Sequence, residues 1–452
     1  MKQKSWTTAF TLCLGLTSVL YAQSSQENLY TFSHQSMQDV KWSSNNQSVI
    51  VTPDGTVHTV FLAKGSQEIY YITMNPNVGN TFMALVSDSQ EAFVKAIPRG
   101  APVIAIEKEG KIHILFAATR NGQSSVFHVS KSYDTANWNT QAVFPYKKLY
   151  KRDKGGKRTK LDENWESSLA IRVKGRALHF AAARNGMNVS WRDENLVYGH
   201  FENERWSVEQ APDSGGPSIS SVDLYVGKTT EKVTVVYQPT KAKKQKSLGL
   251  YYTIRGEEKC FRNRVSWSPD DTGKHWCTPS QLQPEQTDIY SGAPDVIGDK
   301  NDNLHVLVKN KSQASYGRIS PREVENTKLS GFQRMGIYLT WGGPLLGYDP
   351  SIRAFSSHFI NDSFENVHIV ILTEKSDKTG SDVKIISVAP SGGSWRRETL
   401  KVDAIPGDHE FSEFNTFVDE KTVHMVALEK MRNGSDKFLY FSLPFSADSE
   451  IQ

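Results

Sequence analysis

Gly110-Lys111-Ile112-His113-Ile114-Leu115-Phe116-Ala117-Ala118-Thr119-Arg120-Asn121-Gly122 decides how this chain is read. At its centre an apolar residue and a histidine lead into a short apolar run. The pattern returns at Val57-His58-Thr59-Val60-Phe61, Leu178-His179-Phe180, Leu304-His305-Val306-Leu307-Val308, Val367-His368-Ile369-Val370-Ile371 and Val423-His424-Met425-Val426. A seventh copy, Val233-Thr234-Val235-Val236-Tyr237, has threonine at the histidine position. Successive copies stand 55 to 71 residues apart. Self-similarity at such a period marks a repeat architecture.

Working outward, each period reads as four short strands. First strands begin near small residues or proline, as in Ala101-Pro102-Val103-Ile104-Ala105-Ile106, Ser167-Ser168-Leu169-Ala170-Ile171 and Ala293-Pro294-Asp295-Val296-Ile297. The histidine run is the second strand. Third strands carry aromatics: Ile69-Tyr70-Tyr71-Ile72, Val126-Phe127-His128-Val129, Leu196-Val197-Tyr198, Leu250-Tyr251-Tyr252 and Leu439-Tyr440-Phe441. Trp138, Trp206, Trp276 and Trp395 mark fourth strands. Short strands punctuated by turns at this spacing favour an all-β fold. Seven units of four strands predict a seven-bladed β-propeller of four-stranded antiparallel blades.

Residues 1–22 read as an export signal. Lys2 and Lys4 precede the apolar run from Ala9 to Leu20, and Ala22 is a cleavage point. That run is too short for a permanent span. The expectation is a secreted or periplasmic monomer with one propeller domain over 23–452 and no membrane insertion. Net charge is only +4 on 452 residues, which argues against a dedicated nucleic-acid binder. Two basic segments, Lys147 to Lys160 and Lys241 to Lys246, are solvated loops or guides for a polyanion.

A histidine repeated at one position in six repeats is structural, and the expected partner is loop backbone between blades. That leaves His34, His128, His200, His275, His358 and His409 for specific work. The loops after second strands and before first strands share one face of a propeller. Ala117-Ala118-Thr119-Arg120-Asn121-Gly122 and Ala182-Ala183-Arg184-Asn185-Gly186 sit there, with Lys309 at the same place in the fifth repeat. Arg120 and Arg184, flanked by Asn121 and Asn185, offer planar forks to carboxylate or sulfate. Equally, Asn-Gly forms a turn that arginine merely flanks. His128 replaces an aromatic by a titratable ring and aligns with Tyr198 and with Tyr251 or Tyr252. Histidine and tyrosine beside an arginine pair fit β-elimination of a uronate: arginine neutralises the carboxylate, and the ring groups move the proton. Cys260, His275 and Cys277, with His200 as fourth donor, fit a structural zinc site. The competing reading is a Cys260–Cys277 disulfide. No organic cofactor is expected. Glu163, Glu166 and Asp349 are carboxylates that a hydrolase could use.

Ser268-Pro269-Asp270-Asp271-Thr272-Gly273-Lys274-His275-Trp276 resembles the Asp box of sialidase-like propellers, and Ser132-Tyr133-Asp134-Thr135-Ala136-Asn137-Trp138 is a more degenerate copy. The Arg-Ile-Pro segment of sialidases is absent; Ile97-Pro98-Arg99 is not that segment. By repeat number, size, export signal and Gly-x-x-His-apolar strands, the chain resembles the secreted seven-bladed propellers that include the ulvan lyases. That resemblance implies a lyase of an acidic, sulfated uronate polysaccharide. It also implies His128 with Tyr198 or Tyr251 as proton-transfer groups, Arg120 or Arg184 as neutraliser, and zinc at Cys260, His275 and Cys277. A non-catalytic glycan-binding propeller and a sialidase-type hydrolase are the alternatives.

Overall fold

The computed structural model describes residues 30–52, 54–75, 80–86, 96–120, 123–132, 135, 138–145, 150–152, 158–160, 165–186, 195–212, 218–240, 250–256, 275–277, 279–281, 293–309, 314–319, 339–340, 354–361, 366–374, 381–387, 411–418, 422–430 and 435–444. The regular elements among them are all strands. They pair antiparallel into seven sheets of three to five strands, plus a separate hairpin of Tyr150–Arg152 with Arg158–Lys160. We number the sheets in chain order, sheet 1 over 40–85, then 97–145, 165–210, 219–281, 294–340, 354–387 and sheet 7 over 411–444.

Within a sheet, consecutive strands lie side by side, as Trp165–Lys174, Ala177–Gly186, Leu196–Glu202 and Arg205–Gln210 do in sheet 3. One register recurs seven times. Ile50, Ala105, Arg172, Tyr225, Ile297, Ile360 and Phe417 of the first strands face His58, His113, His179, Thr234, His305, His368 and His424. The repeat read from the sequence is therefore a structural register.

Neighbouring sheets pack face to face, so second strands are covered on both sides. Lys111–Arg120 is buried from Ile112 through Thr119, which explains a near-continuous apolar run in place of alternation. The core is a set of layers between sheets. Phe61 and Tyr70 of sheet 1 meet Phe438 of sheet 7, and Phe116 of sheet 2 meets Leu62 and Tyr71 of sheet 1. The first strands Val49–Val51, Val103–Ile106, Trp165–Lys174, Ile219–Val226, Pro294–Gly298, Ala354–Asn361 and Phe411–Val418 touch in that order, and the last touches the first. Strand Tyr30–Gln38 then pairs with Ser435–Pro444 as the outermost strand of sheet 7, fastening the two ends of the ring.

In four of the repeated histidines Nδ1 meets a side chain of the adjacent third strand, where loop backbone was the expected partner. Nδ1 of His58, His179 and His424 meets the hydroxyl of Tyr71, Tyr198 and Tyr440 at 2.6, 2.7 and 2.8 Å. In sheet 2 the partner is His128, 2.9 Å from His113. The partner in each case stands on the adjacent third strand, diagonal to the histidine, as cross-strand geometry allows for long side chains.

A polar segment with no counterpart in the repeats occupies the ring's centre. Asn45 Nδ2 donates to the carbonyls of Leu169 (2.8 Å) and Val222 (3.3 Å). Asn46 exchanges bonds with Thr416, Nδ2 to O at 3.0 Å and Oδ1 from N at 2.8 Å. Gln47 donates to Asp223 Oδ1 at 2.7 Å, accepts from Ile171 N, and its carbonyl accepts from Ile104 N. Residues 45–47 thus hold the first strands of sheets 2, 3, 4 and 7 from inside. Splayed strands around a ring's centre leave backbone groups unpaired, and these side chains satisfy them. Below the segment a cavity of about 360 Å³ is lined by the far ends of first strands, including Arg172, Ile297, Asn361 and Phe417.

Candidate functional site

The proton-transfer group expected at His128 is locked into the packing. His128 is 3% exposed. Trp206 Nε1 reaches His128 Nδ1 at 3.3 Å, His128 Nε2 reaches His113 Nδ1 at 2.9 Å, and His113 Nε2 reaches Glu107 Oε1 at 2.7 Å. An indole N–H can only donate, so His128 Nδ1 is the acceptor and its proton sits on Nε2. The same logic puts the His113 proton on Nε2, toward Glu107. Burial holds His113 down to about 3 and His128 well below the usual imidazole range, with the His113 and Lys111 charges adding to the effect at His128. Neither nitrogen of His128 is open to a substrate.

Tyr198 is likewise in the core, its hydroxyl on His179 and its ring against Trp276 (5.5 Å) and under the Arg255 guanidinium (5.3 Å). Burial pushes its phenol up. Tyr252 is 8% exposed. Tyr251, half-buried at the start of its strand, stacks on Tyr237 at 6.0 Å. Arg184 is 1% exposed, whereas Arg120, which stands two positions further along its strand from the repeated histidine than Arg184 does, is partly exposed. Asn185 pairs with Glu166, and Lys309 pairs with Ala314. Asn121 lies outside the described residues, as do Glu163 and Asp349.

Cys277 is disulfide-bonded, and a disulfide sulfur is no thiolate ligand. The His200 ring lies tilted against His179, centroids 4.8 Å apart, and its Nε2 is 3.8 Å from Glu202 Oε2. His275 pairs with Gly256 in the sheet, and Cys260 lies outside the described residues. Among the described residues no three His, Cys, Asp or Glu side chains are grouped to hold a metal ion.

A different group gathers where first strands begin. Because strands pair antiparallel, the starts of first strands share one end of the ring with the ends of second strands. Lys41, opposite Leu62, and Glu166, opposite Asn185, both stand there. Lys41 Nζ meets Glu166 Oε2 at 2.8 Å, with side chains 32% and 65% exposed. Sheet 2 separates their sheets in the ring order, so the pair bridges two sheets that are not neighbours. Arg99 lies beside it: its carbonyl accepts from Ser167 N, and its Nε donates to Thr119 Oγ1 at 2.9 Å. Thr119 Oγ1 in turn meets Ser124 Oγ at 3.0 Å. Gly100 makes the close approach feasible, because at its φ of +142° a Cβ would stand 2.0 Å from the Ser167 carbonyl oxygen. Ile97, 45% exposed, flanks the group. Lys41 escaped sequence reasoning because it belongs to the polar segment outside the repeats. Its signal was position, just before a first strand. The arrangement puts cations at a water-accessible end, with Thr119 buried beneath them, and suits an anionic ligand.

No protein-family model matches the sequence, nor does any curated protein. Among solved structures, the chain is similar to the polysaccharide lyase Uly1, with 13% identity, TM-score 0.47, and 89% of this chain covering 90% of that one. It is also similar to the GH93 alpha-L-arabinofuranosidase of Fusarium graminearum, with 10% identity, TM-score 0.42 and coverage of 92% and 98%. NanB sialidase from Streptococcus pneumoniae, as its K499G mutant, gives 8% identity, TM-score 0.45 and coverage of 92% and 94%.

Proposed function

We propose that this is an exported carbohydrate-active propeller that takes an acidic polysaccharide across the end of the ring where first strands begin. The observation that supports it is the exposed Lys41–Glu166 pair beside Arg99, with the partly buried Ser124 and Arg120 at the same end. Arginine and lysine meet carboxylate or sulfate through charge-assisted bonds, and the Ser124 hydroxyl suits a sugar oxygen. Cleavage by β-elimination of a uronate-containing, ulvan-like chain is the finer reading. With His128 and Tyr198 in the core, Tyr251 is the sequence-chosen proton-transfer ring that stands at this end. Incubation with ulvan and with polygalacturonate, followed by ultraviolet absorbance, tests it, because elimination leaves an unsaturated sugar. Rising absorbance is expected. Retention of the polysaccharide on affinity electrophoresis without absorbance or new reducing ends would make the chain a binding propeller. Reducing ends without absorbance would make it a hydrolase.

A further inference from the structure

The Lys41–Glu166 pair is unusual for its place. Its partners come from sheets 1 and 3, which are not ring neighbours, and both side chains reach water. A pair inside one sheet would serve local packing, but this one joins two sheets with a third between them. Lys41 is anchored: its strand pairs with Ala63 and Leu62, Val40 N donates to Asp436 Oδ2 at 2.6 Å, and residues 45–47 fix the chain just beyond. Glu166 is the looser partner, at 65% side-chain exposure, and among the described residues its carboxylate meets Lys41. Exposed ion pairs add little to stability, since water and salt compete for both charges. A second carboxylate can therefore replace Glu166 at Lys41 with little loss.

We infer that Lys41 is a carboxylate-binding subsite for a uronate residue of the polysaccharide, and that Glu166 occupies it as an internal stand-in when no substrate is bound. The inference rests on the function proposed above and assigns the subsite within it. Binding exchanges one carboxylate for another at Nζ. The Glu166 side chain turns to water, and no covalent step is involved. Arg99, held by its backbone against Ser167 and by Nε on Thr119, adds a second positive charge at the same end of the ring.

The two partners then have opposite effects, which a merely structural ion pair would not produce. Binding of polygalacturonate and of ulvan is measured by affinity electrophoresis for the native chain, Lys41→Ala, Glu166→Gln and the double variant, with thermal melting as the folding control. Lys41→Ala is expected to weaken binding roughly tenfold or more, the scale of one lost charge-assisted contact. Glu166→Gln is expected to tighten it a few-fold by removing the competitor. In the Lys41→Ala background, Glu166→Gln should change nothing. Weaker binding in Glu166→Gln, or unchanged binding in Lys41→Ala with the fold intact, overturns the inference and leaves the proposed function standing. Failure of the native chain to bind either polymer overturns both.

Discussion

The proton on His128 sits on Nε2 because Trp206 can donate and cannot accept, and that asymmetry sets the orientation of the chain from Trp206 to Glu107. Replacing His128 with Phe leaves the Trp206 indole N–H and His113 Nδ1 without their partner. A stability loss of about 1–3 kcal/mol is expected, the usual cost of stranding buried polar groups. Activity per folded molecule should be unchanged, since the ring never meets substrate. Urea melts alongside the absorbance assay check both parts. The buried histidines also set a pH dependence. Burial lowers His58 to about 4, His113 to about 3 and His128 well below 6.5, while burial raises Asp223 to about 7. A depressed folded value means that stability is full above the unfolded value and lost as pH falls. Asp223 acts in the opposite sense and offsets one of the three. The net expectation between pH 6.5 and 4 is a loss on the order of 2–3 kcal/mol per pH unit. A melting temperature that stays flat or rises over that interval would contradict it.

At the scale of elements, the second strands were the most legible part. His113 and its counterparts stand at one register in every sheet, because a strand packed on both faces must be apolar throughout, and a single polar position stands out. Third strands were legible through their aromatics, but role was not. His128, Tyr198 and Tyr71 look alike as ring-bearing positions, and only the diagonal to the second strand shows that all three answer the same histidine. The segment Asn45-Asn46-Gln47 could not be read as an element, since its hydrogen bonds go to residues as much as 370 positions away. Its weight is testable. Gln47→Leu keeps the volume, strands Ile171 N–H and removes a donor from Asp223. The expected loss is about 1–3 kcal/mol, read as a lower urea midpoint with an unchanged slope.

For the whole molecule, the repeat predicted a ring of sheets, and the contact order of the first strands closes one. The proposed binding end was legible as a face, through the rule about which loops share it, but its contents were not. Arg184 was chosen with Arg120 because their sequences match, yet the two stand two positions apart in the register of the repeat, and Arg184 is buried. Closure itself rests on Tyr30–Gln38 completing sheet 7. Deleting residues 30–38 exposes the edge of Ser435–Pro444 and releases one fastening of the ring. A lower melting temperature and a broader transition are expected by calorimetry, along with a tendency to self-associate through the exposed edge.

The polar segment at the centre has a consequence for biosynthesis. It leaves the ribosome before any of the strands from sheets 2, 3, 4 and 7 that it grips, since residues 45–47 precede all of them. A finished ring would have to be threaded by that stretch, whereas a nascent one can gather around it. The centre is therefore laid down as a spindle, and each later sheet, as it emerges, finds its docking point already in place.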